Sequence, residues 1–466
     1  MTTTPEDRTQ QSRRFLIATG FAFFVVFVTR ALAFPHSWWL EVEPLLGMAL
    51  GHTDPLAGRP PSPGFPLYLD LASLLVFKAQ TPFVALVAAS FLAGVAATVV
   101  LATALRRVWR DPVGGALASL LFFMTPAMLV FSSTPAPEAA ALMFYATALL
   151  AAVRIADGEE MGRRYAAILG AAAGCCIGCQ PEWSLAVLVL VASPLVRRES
   201  WRLGAISIAV CGGVFALVFA PLAKALGGEA ALFRWLLQDT GKLVPLAPMA
   251  LLDASGPLWL SIPIAAAALT GAFATVRSRE TRMLLLAVPA LVHLAYMALR
   301  GSVRVPVLAI APVSVLLIAL CARGLAELTR RTDLPPLRIA IVAAYCLASW
   351  TWTAPLLRAR LDVAPPPSKA AIWINDHLEG VKGGVVLVAD ELEPHAAALI
   401  TNARIARLDA PPAERAAALF ALVPGESTQA GARVFAWPDS EPLRRLAGSR
   451  FRVVSVVPLR KLPAAQ

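Results

Sequence analysis

The chain has 466 residues, 58% of them hydrophobic and only 15% charged. A water-soluble protein of this length exposes far more charge, so the composition excludes a soluble enzyme and implies a polytopic α-helical membrane protein. The formal charge of +11 suggests nucleic acid at first sight, but Lys and Arg collect in alternate short loops, which is the positive-inside bias of a membrane protein and argues for no nucleic acid partner.

In chain order, the first apolar run, Phe15 to Phe34, is too long for a signal peptide core and lacks a small-residue cleavage site. It reads as a retained anchor. Ten more apolar helices are predicted over 83–104, 113–131, 137–155, 166–179, 183–196, 203–223, 256–276, 283–299, 305–322 and 339–356. Most are long enough to span. The two near 14 residues, separated by Gln180-Pro181-Glu182, read as a hairpin that stops short of the far interface. Pro66 to Phe77 is apolar but short and bracketed by prolines, which suits a helix lying flat at the interface.

With eleven spans the basic clusters fall on one side. These are Arg8/Arg13/Arg14, Arg106/Arg107/Arg110, Arg163/Arg164, Arg197/Arg198/Arg202, Arg277/Arg279/Arg282 and Arg323/Arg330/Arg331/Arg338. That places the N-terminus in the cytoplasm and the C-terminal region outside. Counting 66–77 as a span would reverse every later loop and move these clusters outward. The expected organisation is a membrane domain over 1–357, with outer loops 35–82 and 224–255, and an outer-face domain over 358–466.

That last part opens with Pro365-Pro366-Pro367 and then alternates helix-like and strand-like segments: 368–378, 384–389, 394–402, 433–437, 441–447 and 451–457. The pattern predicts a small α/β soluble domain with no phosphate loop and no metal-ligand spacing. Its simplest role is to cover the outer face. The six cysteines all fall in predicted apolar helices. Cys175-Cys176-x-x-Cys179 has metal or redox spacing, but Gly170, Gly174 and Gly178 around it favour close helix packing.

The residues that could carry chemistry sit in outer loops. Glu41 and Glu43 follow the first helix, where a carboxylate can act as general base toward an attacking hydroxyl. The alternative is a pair of solvated acids beside Trp38 and Trp39, read as interfacial belt residues. Glu138 opens a helix after Ser132-Ser133-Thr134-Pro135-Ala136-Pro137. It either complements that helix's dipole or faces the same outer cavity. Arg300 and Arg304 flank a very short outer loop and either grip a phosphate with their planar forks or snorkel to the headgroups. Glu182 and Gln180 mark a polar break within the hairpin, where an acid needs a wet cavity or a partner. Lys224, Arg234, Trp235 and Lys242 line loop 224–255. Arg30, inside the first span, needs a partner, with Glu43 or an outer water cavity as candidates. His52 and Asp54 are unranked loop alternates.

Together these segments resemble the GT-C superfamily of integral-membrane glycosyltransferases, most nearly the bacterial protein O-mannosyltransferase-like group. Glu41-Val-Glu43-Pro44 resembles the acidic signature after the first helix. Pro60-Pro61-Ser62-Pro63-Gly64-Phe65-Pro66-Leu67-Tyr68 resembles the family's His-Pro-Pro-Gly-Phe/Tyr-Pro-Leu-Tyr stretch. Pro137-Glu138 resembles its second outer-loop acid, and Val303-Arg304 with Pro306 and Pro312 its late Arg-Tyr…Pro segment. The sequence departs from the pattern in having two Glu where one Asp is usual, Arg59-Pro60-Pro61-Ser62 where the family has His, and Gln180 where Arg is usual.

The resemblance implies transfer of a sugar from a polyprenyl-phosphate donor to a hydroxyl on a glycan, lipid or protein acceptor, at the outer face of a bacterial inner membrane and with inversion. Glu43 or Glu41 would be the base and Glu138 would orient the acceptor or a divalent metal. Arg304, Arg300 and Lys242 would hold the donor phosphate, while Arg59, Tyr68 and Glu182 would line the cavity. No cofactor is certain. Two other classes fit the sequence: a transporter or lipid-handling protein, for which the broken hairpin speaks, and a catalytically silent scaffold, for which the departures speak.

Overall fold

In lipid every backbone amide must find its partner within its own segment, so the apolar runs fold as helices. The computed structural model describes residues 5–35, 38, 42–51, 53, 55, 60, 64–79, 81–196, 200–237, 256–300, 310–331, 335–362, 364–379, 381, 384–437 and 453–460. The membrane part begins with α1 (Pro5–Leu32), α2 (Val42–Gly51), α3 (Pro66–Ala79), α4 (Pro82–Trp109), α5 (Gly114–Phe123) and α6 (Pro126–Phe131). It continues with α7 (Pro137–Ala156), α8 (Gly162–Cys179), α9 (Ser184–Ala192), α10 (Trp201–Leu226) and α11 (Glu229–Leu237). The last four helices are α12 (Leu258–Ser278), α13 (Leu284–Arg300), α14 (Ala311–Arg331) and α15 (Pro335–Asp362).

Among the described residues, seven helices are long and apolar enough to cross a membrane, and they fall on seven of the eleven expected spans. Of the remaining four, the hairpin 166–196 is α8, a single 3-10 turn at Pro181–Trp183 and the short α9. Residues 283–299 form α13. The expected helix over 113–131 is broken, and the reason is local. Pro126 excludes helical backbone at Thr125, which is extended (φ −62°, ψ 146°), so α5 stops and α6 starts afresh. The segment 66–77 is the helix α3, too short to span, and it packs on α4 and α8.

Close helix approach explains the glycines. A Cβ on Gly271 of α12 would stand 1.8 Å from the Leu320 carbonyl of α14, and one on Gly324 of α14 would stand 1.9 Å from the Ala267 carbonyl of α12. The two helices therefore touch backbone to backbone. Gly170, Gly174 and Gly178 likewise set α8 against Ser207, Val214 and Val218 of α10. The cysteines between these glycines belong to that packing: Cys176 and Cys179 are buried, and Cys176 donates to the Ala141 carbonyl at 3.4 Å.

One end of the bundle is rich in ion pairs. Arg107 pairs with Glu159, Arg282 with Asp157 at 2.6 Å, Arg323 with Glu280 at 2.6 Å and Arg338 with Asp111 at 2.6 Å. Burial pushes the Asp111 carboxyl up. Arg338 and the N–H groups of Gly114 and Val113 outweigh that and hold it below its ordinary range. These arginines come from the clusters expected in the cytoplasm.

The C-terminal domain carries α16 (Pro366–His377), α17 (Glu393–Leu399), α18 (Pro412–Ala417) and strands β1 (Val385–Val388), β2 (Arg404–Arg407), β3 (Ala418–Pro424), β4 (Arg433–Ala436) and β5 (Val453–Pro458). The sheet order is β2-β1-β3-β5-β4. β2, β1 and β3 run parallel, while β5 pairs antiparallel with both β3 and β4. Val386, Val388, Phe420, Leu422, Val454 and Val456 point to one face and pack with Ala370, Ala371 and Ile374 of α16. Helix α17 rests on α2, and the Ser368 hydroxyl donates to the Trp38 carbonyl at 3.3 Å.

Candidate active site

At the end opposite the ion pairs, the short helices α5 and α6 both end in the buried interior, where terminal carbonyl groups need partners beyond the helix. Two buried arginines satisfy them. Arg30, in the last turn of α1, donates from Nη2 to the Phe123 carbonyl and to the Met128 carbonyl at 3.1 Å. Its Nε donates to Ser132 Oγ at 2.6 Å and its Nη1 to Thr29 Oγ1 at 3.1 Å. Arg360, near the end of α15, donates from Nη1 to the Val130 carbonyl at 2.7 Å and to Ser133 Oγ at 3.5 Å. The expected partner of Arg30 is thus corrected: its hydrogen bonds go to the Ser132 turn and to freed carbonyls. Lipid favours this, because a guanidinium there needs several acceptors at once.

Glu43 lies in the first turn of α2 and is buried. The Arg360 guanidinium, hydrogen-bonded to Val130 and Ser133, also acts electrostatically with Glu43. Trp38, which the sequence suggests as a belt residue, is instead buried. Its indole lies edge-on to Phe83 at 4.8 Å and over Gly47 of α2. It wedges α2 against α4, and so fixes where Glu43 stands.

Tyr68 connects the second acid. Its buried hydroxyl meets Ser90 Oγ and the Leu86 carbonyl, both at 2.9 Å, and Ser90 receives the Ala136 N–H at 3.0 Å just before α7. Glu138, in the first turn of α7, and Glu43 both act electrostatically on Tyr68. Ala136, the residue before α7, has no side-chain cap, so Glu138 also complements that helix's N-terminal dipole. Glu43 and Glu138 thus act on Tyr68 from the first turns of two other helices, α2 and α7.

Two further features frame this end. Gly64 and Phe65 have φ of +101° and +99°, and a Cβ on Gly64 would stand 3.0 Å from the Trp235 ring of α11. Positive φ at a phenylalanine is strained and persists only where its surroundings over-determine it. Gly64 and Phe65, which lead into α3, are thus held against α11. Leu67 lies against Gly178, so the end of α8 abuts α3, and Gln180 Nε2 donates to Glu182 Oε2 at 3.3 Å. Trp183 is buried with its ring edge-on to Tyr145 at 6.3 Å.

Glu41, Arg59, Lys242 and Arg304 lie outside the described residues, as do His52 and Asp54 and the side chain of Arg300, which ends α13. Sequence reasoning missed Arg360, Ser133 and Ser90. Arg360 reads as linker, but a cation following the apolar run of a last span is a signal that it has work inside.

The fold is that of a polytopic helical membrane protein with a small C-terminal sheet domain, and several solved structures share it. The solved structures that share it include ArnT from Cupriavidus metallidurans bound to undecaprenyl phosphate, with TM-score 0.63, 13% identity and coverage of 95% of this chain and 97% of that one. The Archaeoglobus fulgidus oligosaccharyltransferase tethered to an acceptor peptide matches with TM-score 0.57 and 11% identity over 87% of this chain and 69% of that one. The arabinofuranosyltransferase AftD from mycobacteria matches with TM-score 0.52 and 17% identity, over 88% of this chain but only 35% of its own length. The sequence matches no protein-family model and no curated protein.

Proposed function

We propose that the protein is a glycosyltransferase that moves a sugar from a polyprenyl-phosphate donor to a hydroxyl acceptor at the outer face of a bacterial inner membrane, with inversion. The observation that carries this reading is that Glu43 and Glu138 act electrostatically on the buried Tyr68 at one end of a GT-C-like fold, and Arg360 with Glu43. Undecaprenyl phosphate bound to ArnT, which has the same fold, supports the donor class.

In this mechanism the acceptor oxygen attacks the anomeric carbon, its proton passes to Glu43, and the bond from that carbon to the phosphate oxygen breaks. The electron pair leaves with the polyprenyl phosphate. Arg304, with Arg300 and Lys242, holds the growing phosphate charge. Glu138 orients the acceptor, directly or through a divalent metal. Among the described residues no group of three His, Cys, Asp or Glu forms a metal site, so Glu138 and its loop neighbours would have to hold one with substrate oxygens. Arg360, hydrogen-bonded to fixed carbonyls, keeps a positive charge beside the buried Glu43 carboxylate and offsets its desolvation. Glu41 is the second candidate base. The domain over 358–466 covers this face, through the contact of α17 with α2.

The test is transfer from labelled lipid-phosphosugars in membranes. Glu43→Gln should abolish transfer with expression intact, and Glu41→Gln should be milder. Reversed severity would move the base to Glu41. Full activity in the double variant would end the general-base assignment.

A further inference from the structure

At the end opposite the glutamates, two cavities meet at Arg282. One, of about 500 Å³, is apolar and runs between α7, α9 and α13 past Ala156, Val189, Leu285 and Val288. The other, of about 510 Å³, is lined by Arg106, Arg107, Arg110, Arg154 and Arg282 with Asp157. Arg282 belongs to both linings.

The charges in the basin do not balance. Asp157 takes Arg282 at 2.6 Å and Arg107 at 3.7 Å, while Glu159 takes Arg107 and, at 3.4 Å, Arg154. Five arginines thus face two carboxylates. Among the described residues no carboxylate pairs with Arg106 or Arg110. The Arg106 guanidinium lies over the Phe15 ring, 4.3 Å from its centroid, which fixes the plane of the fork and leaves its N–H edge open. Arg110 follows the last turn of α4 in left-handed backbone (φ +57°), beyond the end of the span.

An apolar cleft and a cationic basin that share the lining residue Arg282, at the end of a membrane bundle, fit a phosphate joined to a hydrocarbon chain. A cleft of this size takes a single acyl chain, whereas a long polyprenyl chain exceeds it. We propose that this is a binding site for an anionic phospholipid, with one acyl chain between α7, α9 and α13 and the phosphate on Arg106 and Arg110. It is separate from the glutamate site and independent of the reading of that site.

The test is native mass spectrometry of the full-length protein in detergent. It is titrated with phosphatidylglycerol, phosphatidylcholine of the same chains, undecaprenyl phosphate and inorganic phosphate. The wild type should hold phosphatidylglycerol at least roughly tenfold better than phosphatidylcholine, since both present the phosphate but the cationic choline is repelled by the arginine basin and the neutral glycerol is not. Arg106→Gln with Arg110→Gln should remove that preference, and the double Lys variant, which keeps charge but loses the forks, should retain part of it. If the Gln variant does not fold, the Lys variant still reads the loss of the forks. Val189→Trp should weaken phosphatidylglycerol binding by blocking the cleft. Equal retention of the two phospholipids, or an undiminished preference in the double variants, would overturn the site. Inorganic phosphate competing fully while Val189→Trp has no effect would make it a free-anion site and overturn the lipid assignment. Preferential retention of undecaprenyl phosphate would overturn it as well.

Discussion

In the mechanism we propose, Arg360 and Arg304 divide the work of positive charge between a fixed and a reactive role. Arg360 is spent on carbonyls of the broken helix and on Glu43, so it cannot follow a leaving group. Arg304 is the arginine we propose for the donor phosphate. Replacing it by Ala should weaken lipid-phosphosugar binding by about 1.5–3 kcal/mol, or roughly ten- to a hundred-fold, because a charge-assisted contact is lost. Arg304→Lys should cost less, since a point charge keeps the attraction and loses only the fork. The Arg300 variant should show a smaller effect than either. Donor affinity measured on monodisperse, detergent-purified protein decides this. Unchanged affinity with reduced folded yield would make Arg304 a helix-end anchor.

At the scale of elements, the bundle is held by close approach as much as by bulk. Lipid tails give no hydrophobic drive between helices, so contact geometry sets the stability. Gly271→Ala or Gly324→Ala would drive a methyl group into a backbone carbonyl of the facing helix. Each should destabilise the α12–α14 pair by about 1–3 kcal/mol or more, read as a lower unfolding midpoint in detergent. Gly212→Ala, which meets open space on α10, is the control and should be neutral or slightly stabilising. Equal midpoints for all three would show that α12 and α14 do not touch at this crossing.

Element scale is also where the sequence was most legible. Length and apolarity located the long spans because the bilayer imposes both, and Pro126 marked a break that a window over 113–131 averages away. At the site, Glu43, Glu138 and Tyr68 were legible as separate loop motifs, since each sits in a proline-bounded segment. A shared outer cavity was one of two readings for Glu138, but what holds these residues in place was not legible, because Trp38, Ser90 and the arginines act through contacts far apart in sequence. Arg30 shows the limit well. An intramembrane charge announces that it has a partner, but backbone carbonyls freed by a kink leave no sequence signature.

On the scale of the whole molecule, the two ends of the bundle differ in chemistry, and among the described residues the C-terminal domain contacts the end that carries Glu43. Helix α17 lies on α2, which carries Glu43, and it also carries the buried His395. Burial pushes the His395 imidazole down to about 4. Its unfolded value is about 6.5, so between these values the unfolded chain binds a proton that the folded domain refuses. Stability must therefore fall as pH drops from about 6.5 toward 4 and be unaffected by this group above that range. The loss at the acid end should be of the order of 3 kcal/mol. Because membrane proteins often unfold irreversibly, the comparison is of unfolding midpoints at one fixed scan rate, for wild type and His395→Gln across this range. The wild-type curve should bend downward below about pH 6.5 and the Gln curve should stay flatter. If α17 seats α2, transfer should decline over the same interval, and the decline should be shallower in His395→Gln. Parallel midpoint curves would clear His395 of this role and leave the acid sensitivity to the carboxylates, whose loss of charge begins lower.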